Sequence, residues 1–143
     1  MAGGGQVLNL AINSFAAFAF LSETSYAETV GKAFGAWLIV ACLQARLAPA
    51  ACLKTWGLDG DASESAIGYT KTLGHSGLAL GTFIGSIANG AKLTTAIGYY
   101  SAVLLVSLAE MMASGHFEEI EVSMDKIYGW MAMLIAFVGT LAV

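Results

Sequence analysis

The chain has 143 residues, 57% of them hydrophobic and only 11% charged, against about 25% charged in an ordinary soluble domain. A soluble fold of this size cannot hide so much apolar surface, so lipid is expected to cover much of it. Six basic residues and a formal charge of -4 leave no patch for a row of phosphates, which excludes nucleic-acid binding and polybasic attachment to headgroups.

A membrane span needs about 20 mostly apolar residues, and five segments are candidates in chain order. The first, about residues 7–21, is short, contains Asn9, Asn13 and Ser14, and ends at Glu23. Residues 1–22 carry no charge, and Ser25-Tyr26-Ala27 has the form of a signal-peptidase site. Without a basic n-region, an uncleaved anchor is the preferred reading. The second span, about residues 29–47, is framed by Lys32 and Arg46, which can snorkel to opposite interfaces. It carries Gly31 and Gly35, spaced by four. Pro49, the only proline, marks a bend, after which residues 50–56 are expected to lie at the interface with Lys54 and Trp56 at headgroup level.

Residues 57–65 read as a loop, with Asp59, Asp61 and Glu64 among turn residues. They lack the ligand spacing of an EF-hand. Ser63, Glu64 and Ser65 are suited to starting a helix. The third span, about residues 72–88, holds Gly77, Gly81 and Gly85, again spaced by four. Such ladders weaken a helix in water but let two backbones touch in lipid. Asn89-Gly90 predicts a tight turn into the fourth span, about residues 93–113. An acidic loop follows at 114–126, where His116 is expected to be a solvated or pH-sensitive surface residue. The fifth span, about residues 127–143, opens on Tyr128 and Trp130. The expected fold is therefore all-α: one polytopic membrane domain, residues 1–143, of four or five transmembrane helices. Arg46, Lys54, Lys71 and Lys126 fall on one side and Lys32 and Lys92 on the other. The first set predicts the cytoplasmic, stromal or matrix face.

Candidate chemistry gathers near one end. His75 lies about 15 residues before the turn and Glu110 about 19 after it, a depth difference of roughly 6 Å by helical rise. Gln44 and Arg46 are expected on the same side. Ionisable groups in hydrocarbon usually face the protein interior and mark a proton or ligand site; the plainer expectation is that His75, Arg46 and Glu110 lie near helix ends, bonded to headgroups, water or each other. His75, Glu110, Gln44, Asn89 and His116 are each able to supply a single axial donor to a pigment or bind a headgroup. Chlorophyll, carotenoid and structural lipid are the candidate occupants. Cys42 and Cys52, ten apart on one apparent helical stretch, read as packing residues. No zinc, iron–sulfur, phosphate-loop or nucleophile-elbow motif is present in the sequence, and no enzymatic activity is expected.

The stretch Leu47-Ala-Pro, then Trp56-Gly-Leu, then Gly74 to Gly81 with its Leu-Ala-Leu-Gly resembles the pattern of DoxX-like small membrane proteins over about residues 30–143. The matching residues are small and apolar, as in any bundle, and assign no family. The rotary-ATPase proteolipid hairpin and the light-harvesting antenna motif differ in glycine spacing and in the residues after Glu110. The function expected from the sequence is that of an accessory subunit in an energy-converting membrane complex, a photosystem ahead of a respiratory complex. Its partners would be the bilayer and neighbouring membrane subunits, in a thylakoid or inner mitochondrial membrane. The alternative is an autonomous DoxX-like carrier or quinone-linked protein that uses a Gln44, Arg46, His75 and Glu110 cluster.

Overall fold

A computed structural model of the chain describes residues 4–21, 25–56 and 63–139, which form seven helices with no strand among them. These are α1 (Gly4–Leu21), α2 (Ala27–Leu47), α3 (Pro49–Thr55), α4 (Glu64–Ala88), α5 (Leu93–Ala113), α6 (His116–Glu119) and α7 (Met124–Val138). Glu23, the Asn9 side chain, the loop acids Asp59 and Asp61, and the last four residues of the fifth expected span lie outside the described residues.

Each boundary has a local cause. Ala48 leaves helical geometry immediately before Pro49, which begins α3 at its first turn, where a missing N–H costs nothing. The break puts Cys42 and Cys52 on two helices rather than one, and both are free thiols. Ser63 caps α4 by accepting the Ala66 N–H at 3.2 Å. The third span thus starts eight residues earlier than the hydrophobic run alone indicates.

At the far end of α4, Asn89 is the cap and Gly90 takes φ +83°. Gly90 N–H donates to the Ile87 carbonyl at 2.9 Å and Ala91 N–H to the Ser86 carbonyl at 3.0 Å, the paired bonds of a Schellman turn. Only glycine occupies that φ without strain, so Gly90→Ala should lower stability by about 1 kcal/mol, measured as a lower thermal midpoint in detergent.

The centre of the bundle is the α2–α4 contact, and small residues make it. A Cβ placed on Gly35 would lie 2.9 Å from the Gly85 backbone nitrogen and 3.0 Å from the Gly81 carbonyl oxygen. One on Gly81 would lie 2.9 Å from Ile39 Cγ1. Gly77 faces Cys42, and Gly74 faces the backbone of Cys42, Ala45 and Arg46. Numbers rise along α2 as they fall along α4, so the two helices are antiparallel. The short turn makes α5 antiparallel to α4 as well. The C-terminal ends of α2 and α5 therefore share one end of the bundle with the start of α4.

Small residues are prominent among the buried positions, and many large apolar side chains are exposed. Ala16, Ala19, Gly31, Gly35, Ala45, Gly74, Ala79, Gly81, Ala96, Gly98 and Ser101 are buried, while Phe15, Val40, Leu80, Tyr99, Val106, Trp130 and Phe137 are exposed. Larger side chains are buried as well: Leu53, Leu78 and Leu134 singly, and Met111, Phe117 and Ile127 as a cluster at one end.

Of the five expected spans, two among the described residues are long and apolar enough to cross a membrane: α2 and α5, each about 31 Å long by helical rise. The described helices thus support two spans of the four or five expected. Over the described residues α1 has 18 residues and α7 has 15, or about 27 and 22 Å against a hydrocarbon core of about 30 Å. Helix α4 is long enough but is diluted by glycine, serine, threonine and Lys71.

Candidate functional site

The shared end gathers a polar cluster from four helices. Arg46, in the last turn of α2, donates from one terminal guanidinium nitrogen to a Glu110 carboxylate oxygen on α5. Their side chains are 27% and 42% exposed, so the pair is only partly withdrawn from solvent. Arg46 Nε is buried without an acceptor, which makes this a single-bond contact rather than the stronger two-bond fork.

His75 on α4 is 1% exposed, and neither ring nitrogen has a hydrogen-bond partner. Arg46, Glu110, Lys71 and His116 are the charged or titratable groups close enough to act on its ring. An unbonded buried polar group costs about 1–3 kcal/mol, so His75 is the least satisfied group described at this end.

His116 corrects an expectation. The supposed surface histidine of the acidic loop is 1% exposed, because Gly115 at φ +71° ends α5 and turns the chain back into α6. That turn places His116 Nε2 at 2.8 Å from Thr72 Oγ1 on α4. The Thr72 hydroxyl gives its single proton to the Gly68 carbonyl at 3.1 Å, so it accepts from the imidazole, and the neutral ring carries its proton on Nε2. Nδ1 faces the exposed Glu119 carboxylate at 3.6 Å, too long for a hydrogen bond.

Burial, reinforced by the Lys71 charge, pushes the His116 ring below its ordinary value near 6.5 despite the opposing pull of Glu119. The unfolded chain therefore binds a proton that the folded chain resists. Stability from this group is whole above about pH 6.5 and declines as the pH falls through that value toward the lower folded-state value. Thermal midpoints in detergent should be flat above about pH 7 and drop below about 6.5, and His116→Gln should remove part of that drop.

The remaining candidates lie elsewhere. Gln44 is exposed, since two residues on a helix are about 200° apart and Arg46 takes the inward face. Asn89 sits at the opposite end, where its side-chain amide donates to the Gly85 carbonyl at 2.7 Å. The ring nitrogens of His75 are sealed from outside, so no axial ligand reaches them in this arrangement. No group of three metal-ligating side chains occurs among the described residues.

Two apolar grooves went unseen in the sequence. One of about 450 Å³ runs between α1 and α2 beside Phe15, Val30, Phe34 and Trp37. Another of about 370 Å³ lies between α2 and α4 at Gly31, Phe83 and Ile87. The signal that would have found them is the alternation of glycine or alanine with aromatics on one helix face.

The geometry defines an all-helical protein with a small-residue contact between α2 and α4 and many exposed apolar side chains, and α2 and α5 weakly support membrane insertion. Comparison of the chain with protein-family models, with curated proteins and with solved structures finds no match.

Proposed function

We propose that the chain is a small integral-membrane protein that packs as an accessory subunit inside a larger energy-converting complex. The observation that carries this reading is a close small-residue helix contact inside a bundle whose outer faces are strongly apolar. Glycine and alanine line the α2–α4 contact, while large apolar side chains such as Phe15, Val40, Leu80, Val106 and Trp130 face outward on α1, α2, α4, α5 and α7. In water that surface would drive aggregation. In hydrocarbon it is a surface for lipid and neighbouring helices, and small residues supply the close packing between α2 and α4.

Composition, poor in lysine and rich in glycine and alanine, supports the finer placement in a photosystem ahead of a respiratory complex, in a thylakoid or inner mitochondrial membrane. The α1–α2 groove is the place for a carotenoid or lipid chain. Exposed Gln44 is a side chain that an external chlorophyll can reach.

Mild-detergent extraction from the native membrane tests the role. The tagged chain should migrate with an assembly several times its own 14.8 kDa mass. A stable, monodisperse monomer as the only species would overturn the subunit reading.

The unbonded His75 beside Arg46 and Glu110 favours a second reading, an autonomous carrier or quinone-linked protein. His75→Ala and Glu110→Ala would then abolish transport or quinone binding while the fold survives. A packing subunit would keep its assembly in both variants.

A further inference from the structure

The bonding at the polar end is incomplete in a directed way. His75 is buried with two unpartnered nitrogens, and the neighbouring Arg46 spends one nitrogen on Glu110 while its Nε has no acceptor. The space is too closed for a ligand, because the unpartnered atoms are shielded by protein. A proton is the ligand that fits. We propose that His75 is a proton-binding site that competes with Arg46 for the carboxylate of Glu110.

In the neutral state Arg46 holds Glu110, as observed. A proton from water at the loop end then bonds to the unprotonated ring nitrogen of His75. The imidazolium N–H becomes a charge-assisted donor, and the Glu110 carboxylate turns to it from Arg46. The released guanidinium moves toward the interface, where its side chain is already partly exposed and long enough to snorkel. The trio passes from net charge zero to net +1, with nothing oxidised or reduced.

Burial of the ring, Arg46 from α2, Lys71 on α4 and a charged His116 from α6 oppose the proton, and among the described residues Glu110 from α5 favours it. The short helix α3 adds no charge that acts on the ring. The exchange is open to a packing subunit and to a carrier alike, so it does not rest on either reading of the function.

The chain contains two histidines and one arginine, which makes the test direct. Full-length protein labelled with 15N-histidine and 15N-arginine is placed in phosphatidylcholine nanodiscs and followed by NMR from pH 8 to 4, with His116→Gln assigning the two rings. His75 should pass from neutral imidazole to imidazolium in one step, and the Arg46 Nε resonance should move with the same midpoint. Glu110→Gln should lower the His75 midpoint by about one unit or more, a tenfold weaker proton affinity, and Arg46→Gln should raise it by a similar amount.

A His75 ring that stays neutral to pH 4 overturns the proposal. So does an Arg46 resonance that is constant through the His75 transition, or a midpoint shifted by less than about 0.3 unit in both variants. If either variant fails to fold, the co-titration of His75 and Arg46 in the unaltered chain decides.

Discussion

Gly74→Leu is expected to force α2 away from α4 and to destabilise the bundle by about 3 kcal/mol or more. A Cβ at Gly74 already falls 2.7 Å from the Arg46 backbone nitrogen and 2.8 Å from the Cys42 carbonyl oxygen. Both are helix backbone, and a helix cannot yield locally as a flexible side chain can. The loss should show as a thermal midpoint lowered by many degrees, with aggregation on detergent extraction. Gly85→Ala is the matching control. Nothing lies within 4 Å of a Cβ there, and alanine is the better helix former by up to about 1 kcal/mol, so that variant should melt no lower than the unaltered protein.

Glu110→Ala carries the next largest effect. It strands the Arg46 guanidinium at a site where Nε already lacks an acceptor. Breaking a fully buried pair costs about 3–5 kcal/mol, and the 27% and 42% exposure of these side chains reduces the expected loss to about 2 kcal/mol through solvent screening. Removing both charges should behave differently. Arg46→Met combined with Glu110→Leu deletes the desolvation cost along with the attraction, and its stability should return to within about 1 kcal/mol of the starting protein. A double-mutant cycle on thermal midpoints reads both results, and additive losses would show that the two residues do not couple.

What could be read from the chain follows the range of the interaction. Local signals placed the Asn89-Gly90 turn, the Ser63 start and the break at Pro49, because capping and φ restrictions act within a few residues. Residues 93–113 agree with α5 at both ends.

The four-residue glycine spacing identified the face of α4 on which Gly77 and Gly81 lie, since i and i+4 share one side of a helix. Spacing alone could not show that Gly74 makes a tight approach to backbone or that Gly85 leaves open space at its Cβ position. Those facts depend on where α2 crosses.

The polar cluster was legible for His75, Arg46 and Glu110, which helical rise brings to one level. It failed for Gln44, whose position two residues from Arg46 sends it outward. It failed again for His116, where a left-handed Gly115 inside an acidic stretch reverses the chain and buries the ring against Thr72. A run of acids conceals the apolar pattern of Phe117, Ile120 and Val122, which packs around Met111 and Ile127. Among the described residues, length and hydropathy together single out α2 and α5 as candidate spans, and the fifth expected span is described only as far as residue 139.

Immersion of the outward-facing side chains in hydrocarbon is tested most directly by spin labels on a background with Cys42→Ala and Cys52→Ala. Labels introduced through Val40→Cys on α2, Leu80→Cys on α4 and Val106→Cys on α5 occupy positions that are 67%, 45% and 68% exposed in the isolated chain, and Glu118→Cys on α6 serves as the water-side reference. In phosphatidylcholine vesicles the first three should collide freely with dissolved oxygen and rarely with a water-soluble nickel chelate, with the opposite ranking at Glu118. Nickel collisions at Val40, Leu80 and Val106 equal to those at Glu118 would place these faces in water and contradict a membrane-embedded bundle.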